Sequence, residues 1–274
     1  MSSSLTGERG RQTSPGEELT DFLRQFHNDF AAVIDDPSFT FFNYGMIDRD
    51  NPGYTWIRPE DHIHRYQLTL VRQVLEPLDL QGMSVLEVSS GCGGNCEYLL
   101  KYSSASLVCG VDLCEGYLTF ARRAVPNHRL RLVVSDATSL PFPDESVDVV
   151  LNIQSSHCYS DLGAFLREAY RVLKSGGTLA HADIWGLDLF KLDWQTRLDQ
   201  LNDAGFSISF SRDVTEEISL ALQQEDGFGS CFLRAGRNMD PTLLDSTIQT
   251  LSAIRSSLEE HRSSYWIHHL TKKR

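Results

Sequence analysis

Apolar positions along this chain follow two different periods. Leu19, Phe22, Leu23, Phe26, Phe30 and Val33 recur at helical spacing after Pro15-Gly16-Glu17-Glu18, whose acids suit a first helical turn. The spacing predicts an amphipathic helix that ends at Asp36-Pro37. Its apolar face must be covered, either by the chain's own main body or by a second copy in a homo-oligomer that exchanges the helix. The next stretch carries Phe39, Phe41, Phe42, Tyr44, Tyr54 and Trp56, but Gly45, Pro52 and Gly53 break it into loop. A second helix is predicted from Pro59, where proline is tolerated at the first position, to Glu76, with Leu68, Val71, Val74 and Leu75 inward.

After Gln81-Gly82 the pattern changes to short apolar runs separated by helical segments. The runs Ser84–Ser89, Ser106–Asp112, Leu130–Val134, Val147–Ile153 and Thr178–Ile184 read as strands. Between them lie predicted helices at Asn95–Tyr102, Cys114–Val125 and Asp161–Lys174, the last closed by Gly176-Gly177 as a C-cap. Strands that are apolar on both faces and alternate with helices imply a parallel, doubly wound sheet. Trp194–Ala204 reads as a further helix, Phe206–Phe210 as a sixth strand and Tyr265–Leu270 as a closing strand. The helical patterns over 214–263 exceed an ordinary connection and read as a lid. The expected fold class is therefore α/β: a doubly wound, mostly parallel, seven-stranded Rossmann-like sheet with a helical N-terminal cap and a helical insertion before the last strand. Residues 1–16 read as a disordered leader, 17–80 as the cap and 81–274 as the main domain.

Composition narrows the function classes. Hydrophobic residues make up 41% of the 274 positions and aromatics 10%, enough for a sizeable core. The formal charge of −12 argues against a nucleic-acid partner, since phosphate binding rests on Lys and Arg. No apolar run approaches the length of a membrane span, and the leader lacks the hydrophobic segment of a secretory signal, so a cytoplasmic protein is expected. Six scattered cysteines form no disulfide framework, and the Cys92/Cys96 spacing is only half of a zinc site.

The chemistry concentrates in Val85-Leu86-Glu87-Val88-Ser89-Ser90-Gly91-Cys92-Gly93-Gly94. A strand, a glycine-rich turn and a helix start follow one another, as where an open α/β sheet begins a nucleotide pocket. A carboxylate at Glu87 would repel a pyrophosphate, and Cys96 stands where the dinucleotide fingerprint wants glycine or alanine, so a dehydrogenase reading fails. The carboxylate suits a ligand with hydroxyls or positive charge. S-adenosylmethionine has both.

Four ordered segments extend this reading: Val85-Leu86-Glu87-Val88 with Gly91-x-Gly93-Gly94; Gly110-Val111-Asp112-Leu113; Ser135 to Asp144; and Arg171-Val172-Leu173-Lys174-Ser175-Gly176-Gly177. With them, Gln81 to Trp185 resembles the class I S-adenosylmethionine-dependent methyltransferases, in particular the group acting on quinones, sterols, sugars and other natural products. The resemblance implies that Gly91 and Gly93 admit the methionine part of the cofactor and that Glu87 anchors the corner near its ammonium. It implies that Asp112 takes the ribose hydroxyls, Leu113 packs on adenine, Asp136 and the Ala137 amide meet the adenine edge, and Gln154 lies near the methionine end. Ser89 departs from the family, which has glycine there; serine normally avoids positive φ. That departure motivates a rival reading as a non-catalytic cofactor-binding or scaffold protein.

Ser155-Ser156-His157-Cys158-Tyr159 follows the fourth strand at the carboxyl edge, where ligands bind. His157 matches a histidine proposed as the base in related O-methyltransferases, and Asp183 would orient or share its proton. Phe42 and Tyr44 belong to a segment resembling one that closes over cofactor or substrate, and Trp185 joins them as a lid candidate. Nothing resembles the acidic metal triad of catechol-type enzymes, so no metal is expected. The expected reaction is O-methylation of a small, fairly apolar natural product, with C-methylation of an isoprenoid alkene, followed or not by cyclisation, as the alternative.

Overall fold

In the computed structural model, which describes residues 15–186, 194–224 and 226–273, the apolar runs become seven strands among the described residues. These are β1 (Ser84–Val88), β2 (Leu107–Asp112), β3 (Leu130–Val134), β4 (Val147–Ile153), β5 (Leu173–Trp185), β6 (Phe206–Asp213) and β7 (Ser264–Lys272). Their order across the single sheet is β3-β2-β1-β4-β5-β7-β6. The first five run parallel, and β7 inserts antiparallel between β5 and β6. Central strands are covered on both sides, with Leu86, Val150 and Leu179 buried on one face and Val85, Val149 and Ala180 on the other, which is why their sequences read as continuous apolar runs. Strand order reverses between β1 and β4. A crevice therefore opens beyond their carboxyl ends, the usual binding position in such sheets.

Helices cover both faces. On one lie α1 (Pro15–Val33), α2 (Arg65–Leu75), α3 (Gly94–Tyr102) and α4 (Glu115–Ala124); α5 (Leu162–Val172) and α6 (Trp194–Asp203) back the other. Between β6 and β7 come α7 (Thr215–Leu222), α8 (Phe228–Ala235) and α9 (Pro241–Glu259). The apolar face of α1 packs on the same chain: Phe30 is fully buried and stacks on Phe232 of α8 at 4.6 Å between ring centres, while Phe26 stacks on Phe30 at 6.1 Å. Leu19 and Phe22 of the predicted face fall outside the described side chains, and the leader, but for its last two residues, outside the described residues.

Three boundaries differ from the pattern. The helix before β5 stops at Val172 because the fully buried Leu173 already pairs with Val147; Thr178 pairs next, with Val149, so the four residues between bulge out. Gly176, at φ +78°, thus serves this bulge and does not cap the helix. The second helix begins as a 3₁₀ turn, Pro59–His64, before α2. Strands β6 and β7 outrun their apolar cores because they pair with each other.

Candidate active site

Beyond the carboxyl ends of β1, β2 and β4 lies a cavity of about 530 Å³. The β1–α3 turn forms its floor, residues 40–44 one wall, and α1, α8 and α9 its roof. Glu87 stands just behind it, 1% exposed. Its Oε1 accepts from Asn95 Nδ2 at 2.8 Å and its Oε2 from Cys96 Sγ at 2.9 Å. Asn95, which lines the cavity, accepts from Asn43 Nδ2 at 3.1 Å. The strand-end carboxylate thereby ties the Phe42–Gly45 segment to the glycine turn.

Ser89 does adopt the conformation that favours glycine, with φ +60°. A side chain there costs about 1–2 kcal/mol. The Tyr159 hydroxyl holds it, 2.7 Å from Ser89 Oγ, while also accepting from Asn152 Nδ2 at 2.9 Å. Gly91 has φ +51°, and a Cβ on it would meet the Phe42 ring at 2.8 Å, so no larger residue fits beneath that lid. Its N–H donates to Asp112 Oδ2 at 2.8 Å, and the Cys114 N–H donates to Oδ1 at 2.9 Å. Asp112 thus fixes the chain leading into α4 and braces the turn at once, with lone pairs left for a ligand's hydroxyls.

Gln154, at φ +54°, staples the wall to β4: Oε1 accepts from the Tyr44 N–H at 2.9 Å, and Nε2 donates to the Phe42 carbonyl at 3.0 Å. Phe42 leans on Tyr117 at 4.9 Å between ring centres and Tyr44 on Phe228 at 5.5 Å.

On the β4 side of the cavity, a 3₁₀ turn, Ser156–Cys158, brings His157 against Asp183 of β5. His157 Nδ1 lies 2.7 Å from Asp183 Oδ1, and its backbone N–H donates to Oδ2 at 2.9 Å. Asp183 is wholly buried, and the His157 side chain is 9% exposed. Burial alone would lower the imidazole's proton affinity, but the adjacent Asp183 carboxylate, with a further contribution from Cys158, overrides it and raises the pKa to about 10. Across the cavity His27 of α1 behaves oppositely. Burial, helped by the charge on His157, lowers its pKa to about 4, and its Nδ1 lies 2.8 Å from the Tyr117 hydroxyl. Burial also pushes Glu87 up to about 8 and Asp112 upward, against the pull of their hydrogen-bond donors.

Not every predicted residue reaches the cavity. Asp136 is exposed and its Oδ1 accepts from the Thr138 N–H and hydroxyl at 2.8 and 2.7 Å, a local turn. Ala137 is buried in the cluster on the far face, and Gly93 N-caps α3 outside the lining. Trp185 packs between the rings of His181 and His268, away from this cavity. Leu113 sits at the rim, 49% exposed. Sequence reasoning missed Asn95, Tyr159, Ser156, His181 and His27. Ser156 beside His157, and His181 two positions from Asp183 on one strand face, were the available signals.

The lining fits a cofactor that joins a nucleoside to an amino acid. The hydroxyls of Ser90 and Thr40 beside it are buried with no hydrogen-bond partner, and Ser90 Oγ is turned against Gly110 of β2, where a Cβ would meet it at 2.8 Å. Asp112 offers acceptor capacity, Leu113 an apolar face. Among the described residues no three His, Cys, Asp or Glu side chains converge as metal ligands, all six cysteines are free thiols, and no helix is long and apolar enough to cross a membrane.

Comparison with known proteins agrees with this geometry. The family described as "Methyltransferase domain" matches residues 86–181. A fatty-acid O-methyltransferase of Mycolicibacterium smegmatis is 31% identical over 233 residues, 84% of this chain and 81% of the relative. A phthiotriol/phenolphthiotriol dimycocerosates methyltransferase of Mycobacterium leprae is 32% identical over 206 residues, 72% of this chain and 74% of that one. Among solved structures, geranyl diphosphate C-methyltransferase from Streptomyces coelicolor shares the fold, with a TM-score of 0.68 over 96% of this chain and 100% of that one, at 15% identity. The scaffold reading gives way, and the chain belongs to the S-adenosylmethionine-dependent methyltransferases, as an enzyme whose cofactor is S-adenosylmethionine.

Proposed function

We propose that this enzyme methylates a carboxylate oxygen of an acid with a long apolar body, releasing a methyl ester. The observation that carries the reading is His157, set in the wall of a mostly apolar cavity and held from behind by the buried Asp183. A histidine held charged is poorly placed to take a proton from an alcohol, which departs from the role of base that the sequence implies. It is well placed to hold an anion. A carboxylic acid is already ionised at neutral pH and needs no base.

Bound S-adenosylmethionine supplies a methyl group on a sulfonium. Asp112 and Leu113 would hold its nucleoside part, and Asn95, fixed by Glu87 behind it, its amino-acid end. The protein's remaining work is alignment: His157 fixes the acceptor oxygen, while the aromatic wall and the helical roof take the apolar body and exclude water. Support comes also from the relative named for fatty-acid O-methylation.

A hydroxyl acceptor is the second reading, favoured by His27, an imidazole kept neutral in the same lining and so able to hydrogen-bond a hydroxyl. An alkene acceptor offers His157 nothing to hold. Turnover of S-adenosylmethionine with a long-chain acid, the alcohol of equal length and the terminal alkene separates the three. The acid is expected to be the preferred acceptor; turnover of the alcohol alone moves the assignment to the second reading, and turnover of the alkene alone removes both.

A further inference from the structure

Behind Asp183 lies a second layer of polar side chains that the transfer itself does not touch. Asp183 Oδ2 accepts from the Ser156 hydroxyl at 2.5 Å and from the His157 N–H at 2.9 Å; Oδ1 accepts from the Ile184 N–H at 2.8 Å and faces His157 Nδ1 at 2.7 Å. At least four donors thus converge on one buried carboxylate. Ser156 Oγ also lies 2.8 Å from His181 Nε2. Ser156 and His181 are 1% and 4% exposed.

The hydrogens of this chain follow from counting. An ionised carboxylate only accepts, so the single hydroxyl hydrogen of Ser156 points at Asp183. Ser156 Oγ then faces His181 with lone pairs, so Nε2 of His181 must carry a hydrogen and donate it. The polarity runs one way, from His181 to Ser156 to Asp183, and ends at His157.

We infer that Ser156 and His181 are positioning residues that fix the orientation of Asp183 and, through it, the ring of His157 toward the acceptor. The local fold makes the array possible. His181 and Asp183 share one face of β5, two residues apart, while Ser156 and His157 are consecutive in the turn after β4. One turn and one strand face thereby hold all four groups, with no loop of independent motion between them. Without the hydroxyl Oδ2 loses one of its donors and the carboxylate is held less firmly, and misorientation of a reacting group costs rate steeply.

The inference rests on the reading of His157 as the acceptor's partner, so the test separates the two. In Ser156→Ala, kcat is expected to fall between roughly tenfold and a hundredfold with cofactor affinity unchanged, and Ser156→Thr, which keeps a hydroxyl, to restore most of it. His181→Gln, which keeps a side-chain N–H, should retain activity that His181→Leu loses. Ring ¹⁵N shifts of histidine-labelled enzyme give a readout free of turnover: Nε2 of His181 is expected to be protonated in the wild type, and the His157 shifts to move in Ser156→Ala. An unprotonated His181 Nε2, or a Ser156→Ala enzyme with wild-type kcat and unmoved His157 shifts, overturns the inference. If His157→Ala lowers turnover while Ser156→Ala does not, the positioning role fails and the acceptor reading stands; if neither lowers it, both fall. Should His181→Leu not fold, Ser156→Ala, which removes one atom, carries the test alone.

Discussion

Replacing Asp183 by asparagine changes one atom and should unsettle the whole β4–β5 side of the cavity. The carboxylate receives donors on both oxygens: Ser156 Oγ and the His157 N–H on one, His157 Nδ1 and the Ile184 N–H on the other. An amide has one acceptor oxygen, so whichever way it is placed its NH₂ group faces two donors. With the NH₂ group turned to the ring, His157 must give up its Nδ1 proton, and in either placement the loss of the carboxylate charge ends the ion pair. Breaking a buried pair costs about 3–5 kcal/mol. For a chain of this size that corresponds to a fall in Tm of roughly 6–20 °C.

The pH dependence carries the sharper signature. The folded His157 pKa is raised, from 6.5 to about 10. Its contribution to stability is therefore complete below pH 6.5, declines as pH rises, and is gone once pH passes about 10. Thermal unfolding of wild type and Asp183→Asn, followed by circular dichroism from about pH 6 to 10.5, should show a gap in Tm that narrows toward alkaline pH. Subtracting the variant removes the titrations of tyrosines and lysines common to both. A variant within about 2 °C of wild type at neutral pH, or a gap that does not narrow, would refute the ion pair as described.

Other outcomes follow from the cofactor end. Asp112→Ala leaves the amides of Gly91 and Cys114 without their acceptor and is expected to weaken S-adenosylmethionine binding at least tenfold by calorimetry, on the order of 1.4 kcal/mol; unchanged affinity would remove Asp112 from the site. Ser89→Gly relieves a left-handed serine but loses the Tyr159 contact, so urea unfolding should place it within about 1 kcal/mol of wild type. Tyr159→Phe takes the hydroxyl partner from the left-handed Ser89 with no compensation, while Asn152 Nδ2 keeps the Val88 carbonyl and Ser155 Oγ, and should cost about 1–3 kcal/mol; equal stability in the two variants would deny Tyr159 its holding role. Gly91→Ala sets a Cβ against the Phe42 ring, and reduced cofactor affinity together with lower stability is expected.

The sheet was legible because both signals that specify it are local. Runs buried on two faces, such as Val147–Ile153, stay apolar throughout, and glycine or proline marks their ends. Where a boundary moved, a long-range pair decided it: Leu173 left its helix to meet Val147, which no window around Leu173 reveals. The site divides in the same way. Glu87 and Asp112 stand at strand ends and His157 shortly after one, and all three are read from those positions. Asn95 beneath Glu87, Tyr159 holding Ser89 and His27 hanging from α1 depend on side chains meeting across the fold, some of them 70 or 90 positions apart. Asp136 shows the converse: its offset after β3 matches the family, yet its Oδ1 accepts from its own turn.

Methyl transfer from ¹³C-methyl-labelled S-adenosylmethionine to a long-chain acid, run side by side with wild type and His157→Ala, bears most directly on the site described. Wild type is expected to place the label in an ester methyl group, and His157→Ala to bind the cofactor as tightly while losing about a hundredfold or more in kcat. Label transferred to the ester at an equal rate by both enzymes would contradict the role given to His157. Label on carbon would contradict the assignment of the reaction.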